Sequence, residues 1–226
     1  MIHLTSIDAL KMEVREKAKK WGADLIGFAS IDRFTDFAAD NHPQSTLESA
    51  KTVIVIGIHM VDPSLDLWLH TEEWRETGRP SRAFEDEILR GIAYRIALFI
   101  ERSGHIAEVV PYEPSIFLKE AGYYAGIGVF GNNNLLLNPD FGPNIRLRAL
   151  VTDAQFNSDP LLENDLCKEC TLCIKACPAD ALTQGYDKKK CRSYCESNLE
   201  YITKNAVLWC IRCIEACPYN RNINST

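Results

Sequence analysis

The chain has 226 residues, enough to bury a substantial core as one large domain or two small ones. Apolar residues make up 46% and charged residues 25%, the balance of an ordinary soluble globular protein, and the most apolar run, Ile92 to Ile100, is interrupted by Arg95 and far too short to span a bilayer. A formal net charge of −6 argues against the broad basic face that nucleic acid affinity normally needs.

Taken in chain order, Ser6 can cap a helix whose apolar positions Ile7, Leu10, Val14, Ala18 and Trp21 recur three and four residues apart. Lys19 and Lys20 suit its negative end, and Gly22 supplies a left-handed stop. Leu25 to Ala29 reads as a strand. Val53 to Ile58 is a continuous apolar, largely β-branched run, as expected of a strand covered on both faces. Residues 61–82 lack clear periodicity and carry Trp68, His70, Trp74 and Arg75; they read as a surface loop, with a lid as the alternative. A helix from about Ala83 to Arg102 places Phe84, Ile88, Ile92, Ile96 and Phe99 on one stripe and ends before Gly104. Strands are expected at Ala107–Val110, Leu135–Leu137 and Ile145–Thr152, with a short helix over Ser115 to Tyr124. The resulting α-β-β-α-β-α-β-β order predicts a layered α/β domain with a mixed sheet over residues 1–155. Asn157-Ser158-Asp159-Pro160, followed by Glu163-Asn164-Asp165, reads as a polar linker into a second domain, residues 156–226.

All nine cysteines lie in that second stretch, and eight of them form two ligand runs. The first is Cys167-x2-Cys170-x2-Cys173-x3-Cys177-Pro178; the second is Cys191, eighteen residues, then Cys210-x2-Cys213-x3-Cys217-Pro218. Three thiolates so spaced can wrap three corners of a cubane, while the fourth, followed by proline, ligates the other cluster. That rule assigns Cys167, Cys170, Cys173 and Cys217 to one [4Fe–4S] centre and Cys191, Cys210, Cys213 and Cys177 to a second. Cys195 stands one helical turn from Cys191 and is the alternative ligand. Zinc is disfavoured, since its sites space two pairs around a long gap. A disulfide framework is disfavoured by the odd cysteine count and by an N-terminus, Met1 to Ser6, that lacks the charged start and apolar core of a signal peptide. The redox cargo and the missing leader lead to the expectation of a cytoplasmic protein with no membrane attachment. The one dense basic run, Lys188-Lys189-Lys190 with Arg192 beyond it, reads either as a solvated loop before Cys191 or as a docking patch for an acidic electron donor or a substrate phosphate.

Ala125-Gly126-Ile127-Gly128-Val129-Phe130-Gly131-Asn132-Asn133-Asn134-Leu135-Leu136-Leu137 resembles the AGLGWIGKNTLLI signature of the epoxyqueuosine reductases. Asp140-Phe141-Gly142-Pro143 and Arg146 to Asp153 look like that family's PEYGPRVRLATVLTD, Cys191-Arg192-Ser193-Tyr194 like its CxSY element, and Cys217-Pro218-Tyr219-Asn220 like its CPWN. The likeness extends upstream through Asp24 to Ala29 and Lys51 to Gly57, so it covers nearly the whole chain. It favours Cys191 over Cys195, leaving Cys195 as a buried inert thiol.

The resemblance implies a nitroreductase-like N-terminal domain holding a base-off cobalamin, followed by a small ferredoxin-like two-cluster domain that feeds it electrons, as in the related reductive dehalogenases. It implies removal of oxygen or halide from a substrate, and a low-potential donor such as ferredoxin or flavodoxin. Gly126, Gly128, Gly131, Asn132, Asn133 and Leu135 then become candidate cofactor contacts, although a plain helix-to-strand turn is the simpler reading of these glycines. Three features depart from the pattern. Asn132 replaces the family's lysine. The catalytic aspartate is missing from Val110-Pro111-Tyr112-Glu113-Pro114, which leaves Tyr112, then Glu113, as proton-donor candidates. The chain stops nine residues after Cys217, without the helical-repeat tail, which together with the acidic charge makes tRNA an unexpected substrate. Two functions remain: a reductase of a small-molecule substrate, or an electron-transfer protein serving a separate corrinoid protein. A flavin-binding domain is a third.

Overall fold

A computed structural model of the chain describes residues 6–60, 67–69, 72, 81–82, 84–111, 116–163 and 166–220. In chain order its elements are α1 (Ser6–Lys20), β1 (Leu25–Ser30), β2 (Thr52–His59), β3 (Trp68–Leu69), β4 (Ser81–Arg82), α2 (Glu85–Arg102), β5 (Ala107–Val109), α3 (Leu118–Tyr124), β6 (Val129–Phe130), β7 (Leu136–Leu137), β8 (Ile145–Thr152), α4 (Leu172–Lys175), α5 (Lys188–Ser197), β9 (Glu200–Thr203), β10 (Ala206–Leu208) and α6 (Arg212–Glu215). Two compact units interleave along this order. The first takes Met1–Ile58, Ile88–Val129 and Arg146–Glu163; the second takes His59–Glu87, Phe130–Ile145 and Asn164–Thr226. The cysteine-free stretch is therefore not one uninterrupted unit, because residues 59–87 and 130–145 belong with the cysteine-rich tail. No helix among the described residues is long and apolar enough to cross a membrane.

The first unit is built on a sheet of order β1-β2-β8-β5. Leu25 pairs with Gly57 and Ser30 with Thr52, and Ala107 pairs with Thr152 and Val109 with Leu150, both antiparallel. The bonds from Lys51 N–H to Thr152 and from Met60 N–H to Asn144 make β2 and β8 antiparallel as well. The sheet is thus antiparallel at every pairing, not mixed as expected. The crossover through α2 does carry the chain from β2 to a parallel strand, β5, but β8 is inserted between them and opposes both.

All eight residues of β2 are buried, as its unbroken apolar run requires. Helix α2 buries Leu89, Ile92, Ala93, Ile96, Ala97 and Ile100, while Phe84 and Ile88 of the expected stripe are 51% and 43% exposed. Steps of four residues rotate about 40° around a helix each time, so a stripe written 84-88-92-96 drifts off the core face. Phe99 is only half-buried and lies under the Lys17 ammonium at 4.5 Å, while Arg95 stacks on Trp21 of the α1 side at 4.7 Å.

The expected linker is in fact a strap along the free edge of β1. Phe156 is buried edge-on against Phe28, centroids 5.4 Å apart. Its N–H donates to Thr52 Oγ1, which itself donates to the Ala154 carbonyl at 2.8 Å. Ser158 Oγ accepts from Ser30 N–H at 2.8 Å, and Asp159 N–H donates to the Phe28 carbonyl. The Asp159 carboxylate accepts from Phe28 N–H (3.1 Å), Lys11 (2.8 Å) and Arg15 (2.7 Å). Arg33 ties the Asp159 carbonyl to that of Tyr124 at the end of α3. The polar residues that read as solvent-seeking satisfy an edge strand instead.

In the second unit a sheet of order β4-β3-β10-β9 joins chain segments far apart in sequence, with Trp68 paired to Arg82 on one side and Val207 on the other. Trp68 and Trp209 stack at 4.8 Å and 22°. The expected 61–82 surface loop therefore supplies two strands. At two residues each, they are too short to leave a periodic signature. His59 closes β2 and is buried against Phe141, ring centroids 4.8 Å apart.

Candidate metal centre

Cys173 and Cys213 lie in α4 and α6, two single-turn helices that pack against each other. Each helix stops at an alanine, then a cysteine, then a proline that has no N–H to continue it. The turns are stapled by Cys177 N–H to Ile174, Cys217 N–H to Ile214, and Cys170 N–H to Cys167. Cys167, Cys170, Cys173 and Cys217 line one small cavity, walled also by Asn132 and Leu137. Its cysteines thus come from both runs.

The electrostatics follow this grouping. Burial pushes the Cys173 thiol up, and Cys167, Cys170 and Cys217 push it further. Burial also raises Cys217, with Cys167 and Cys170 adding to it. At the second group, burial and then Cys210, Cys191, Cys173 and Cys177 lift Cys213 to about 12. Several thiolates facing one cavity repel, and an iron cluster relieves that repulsion because its metals carry the opposite charge. Among the described residues no three His, Cys, Asp or Glu side chains converge tightly enough for a single ion. Thiols ringing a space suit the separated corners of a cubane.

Cys191 and Cys195 both reach the second group, in different states. The Cys195 thiol holds the Cys191 sulfur down at about 6 by donating to it, with burial opposing and the Tyr186 hydroxyl assisting. Cys195, only 4% exposed, is itself raised, first by that bond and then by burial. The two sulfurs are thus joined, with Cys191 shifted down as the acceptor and Cys195 shifted up as the donor. Cys177 Sγ additionally accepts the Ala181 N–H at 3.4 Å.

The loop read as cofactor-binding is placed differently. Asn132 Nδ2 donates to the carbonyls of Cys167 (3.0 Å) and Cys170 (2.7 Å). Asn133, buried, accepts from Leu135 N–H at 3.2 Å, and the Leu135 carbonyl accepts from Gly131 N–H. A Cβ at Gly131 would stand 3.6 Å from the Cys167 sulfur. Gly128 is buried, and Gly126, at φ +70°, abuts the Pro160 backbone so closely that no side chain fits. Of the loop, Asn132 and Asn133 line the cavity of the first thiol group and Gly131 lies beside it, a role the sequence reading missed. The only signal was an amide-rich triplet whose partners are backbone carbonyls 35 and 38 residues away. Tyr112 and Glu113 lie outside the described residues. Lys188, Lys189 and Lys190 form the first turn of α5 rather than a loop, capped by Asp187.

The 4Fe-4S binding domain family matches residues 160–183. An epoxyqueuosine reductase of Staphylococcus aureus is 27% identical over 96% of this chain and 66% of its own length. Along nearly its whole length the chain is similar to the epoxyqueuosine reductases. A tetrachloroethene reductive dehalogenase of Desulfitobacterium hafniense is 28% identical over 58% of the chain and 27% of its own length. Among solved structures, an epoxyqueuosine reductase superposes with a TM-score of 0.73 at 20% identity, covering 95% of the chain and 66% of that protein. Another, solved with a modified tRNA-Tyr stem loop, gives 0.71 at 19% over the same shares. A reductive dehalogenase whose structure suggests a mechanism for B12-dependent dehalogenation gives 0.66 at 20%, over 92% of this chain and 32% of that one. These likenesses establish the fold. The chain spans about two thirds of the length of the reductases it matches, and one protein of this fold was solved with a tRNA stem loop, so the acidic net charge does not by itself exclude that class of substrate.

Proposed function

We propose that this iron–sulfur oxidoreductase carries two [4Fe–4S] clusters, held by Cys167, Cys170, Cys173 and Cys217 and by Cys177, Cys191, Cys210 and Cys213, and passes single electrons through them to a cobalamin that reduces a small-molecule substrate. The observation that carries the reading is the shared cavity of three cysteines from one run and the last of the other. The proximity of Cys213 to Cys173 supports electron passage between the two groups. Assigning the cobalamin to a nitroreductase-like N-terminal domain, residues 1–155, rests on likeness to the B12-dependent neighbour. Asn132, Asn133 and Leu135 are engaged within the protein, Gly131 sits beside the first thiol group and Gly126 against Pro160, so the corrinoid of this reading would be held by other residues of the chain.

Within the chain, the Asn132 amide holds the Cys167 and Cys170 carbonyls, and donors to the Cys177 and Cys191 sulfurs stabilise negative charge there. When bound, the clusters would supply one-electron chemistry. The engagement of the loop also favours a second reading, an electron-transfer protein serving a separate corrinoid protein. Anaerobic reconstitution with iron, sulfide and hydroxocobalamin distinguishes them. Stoichiometric retention of base-off cobalamin is expected for the reductase; clusters without corrinoid would select the electron carrier, and a colourless or zinc-loaded chain would sink both.

A further inference from the structure

Three lysines open helix α5, and Asp187 caps it by accepting from Lys189 N–H and Lys190 N–H at 2.9 and 3.0 Å. This is the wrong end for cations. A helix start carries partial positive charge and favours Asp or Glu, yet the first turn of this helix has no acidic residue. Among the described residues none of the three ammonium groups has an ion-pair partner, whereas the nearby Arg192 is paired with Glu196 at 2.7 Å. All three lysines are exposed. A local rule broken without an internal compensation points to an external partner.

The lysines rim an open cleft of about 490 Å³ that runs back along Asp180, Thr183, Gly185 and Tyr186. Asp180 and the capping Asp187 are the acidic groups of its lining. The cleft borders the second thiol group directly. Cys191 follows Lys190, and Tyr186, 44% exposed on the cleft side, hydrogen-bonds the Cys191 sulfur. A protein seated there would bring its own redox centre next to a cluster ligand. On a chain of net charge −6, this is where an acidic protein meets concentrated positive charge.

We infer that the lysine-rimmed cleft beside Cys191 is the docking surface for an acidic, flavin-bearing electron-donor protein. This rests on the two-cluster reading above. In the step it serves, the donor's flavin hydroquinone anion gives up one electron and becomes the neutral semiquinone. Cys191, with Cys177, Cys210 and Cys213, would hold the cluster that accepts this one electron, so the exchange balances and no proton moves.

The test uses the anaerobically reconstituted chain with flavodoxin hydroquinone as the probe, followed by stopped-flow absorbance. Lys188→Glu/Lys189→Glu/Lys190→Glu should lower the second-order rate constant about tenfold or more at low ionic strength and flatten its salt dependence. Acidic residues suit a helix start, so the variant should keep its fold, its iron content and its full extent of reduction by dithionite. Lys19→Glu/Lys20→Glu, at the end of α1, should leave the flavodoxin rate near that of the unaltered chain. Equal rates in the cleft variant and the unaltered chain would overturn the inference. So would a tRNA stem loop that binds the unaltered chain and not the variant while the flavodoxin rates match. Fluorescence anisotropy of labelled flavodoxin reads docking in parallel. Absence of any dithionite-reducible cluster would then sink the two-cluster reading, while lysine-dependent, salt-sensitive binding would still decide this one.

Discussion

Gly142→Ala is the sharpest probe of how the last cysteine is positioned. Gly142 sits at φ +64°, where an L side chain is strained by about 1–2 kcal/mol. It closes a turn on Asn138, with N–H to carbonyl bonds in both directions, while Asn138 Oδ1 caps Asp140 and Phe141. An added Cβ would lie against the Tyr219 carbonyl oxygen, 2.5 Å from its carbon and 2.9 Å from Asn220 N. Carbons need roughly 3.5 Å, so about 1 Å must open against backbone that cannot rotate aside. The strand of chain displaced is the one that leaves Cys217, whose sulfur lines the first cavity. Overpacking of this kind adds a further 1–3 kcal/mol, roughly 2–5 kcal/mol in all. Gly185, at φ +91° with nothing within 4 Å of its Cβ position, is the control, since Gly185→Ala carries the backbone strain alone. After anaerobic reconstitution, Gly142→Ala should fall from about eight iron atoms per chain toward four, with a lower Tm, while Gly185→Ala keeps its iron. Matching iron content and Tm in the two variants would refute the idea that Gly142 sets the position of Cys217.

Asn132→Ala removes both bonds to the Cys167 and Cys170 carbonyls and should destabilise that loop by about 1–2 kcal/mol, seen as faster iron release to a chelator; an unchanged release rate would show that the amide plays no part. Cys195→Ser should retain about eight iron atoms, whereas Cys191→Ser should lose or damage one cubane, and equal losses would reverse the choice of ligand. Asp159→Ala strips Lys11, Arg15 and the Phe28 N–H of a common acceptor, so denaturant unfolding of the first unit should weaken by about 2–3 kcal/mol with iron content intact. A loss of iron in that variant, with unfolding unaltered, would mean that the strap serves the cysteines instead of the sheet.

The metal-centre residues were the most legible because chelate geometry demands fixed spacing along the chain, and Cys167 to Cys173 and Cys210 to Cys217 display it without reference to anything distant. Long elements were legible for a similar reason: β2 and β8 are apolar runs that only a doubly covered strand needs. Apart from the drifting stripe on α2 and the lysine run that opens α5, the misreadings share one cause, which is that each depended on a partner remote in sequence. Asp159 looks solvent-seeking until β1 offers its edge, and Trp68 shows no pattern until Trp209 stacks on it. The Asn132 amide finds its carbonyls 35 and 38 residues downstream. The mixed sheet failed because β8 enters last and separates two strands that a crossover had made parallel.

Because Cys217 shares a cavity with Cys167, Cys170 and Cys173, the compact upstream run is not self-sufficient. A ribosome must translate at least fifty codons beyond Cys167 before the final sulfur of that cage exists. Iron loading of that centre would therefore wait for the last sulfur, and a chain cut just ahead of Cys217 would lose the fourth ligand of the first centre while keeping all four of the second.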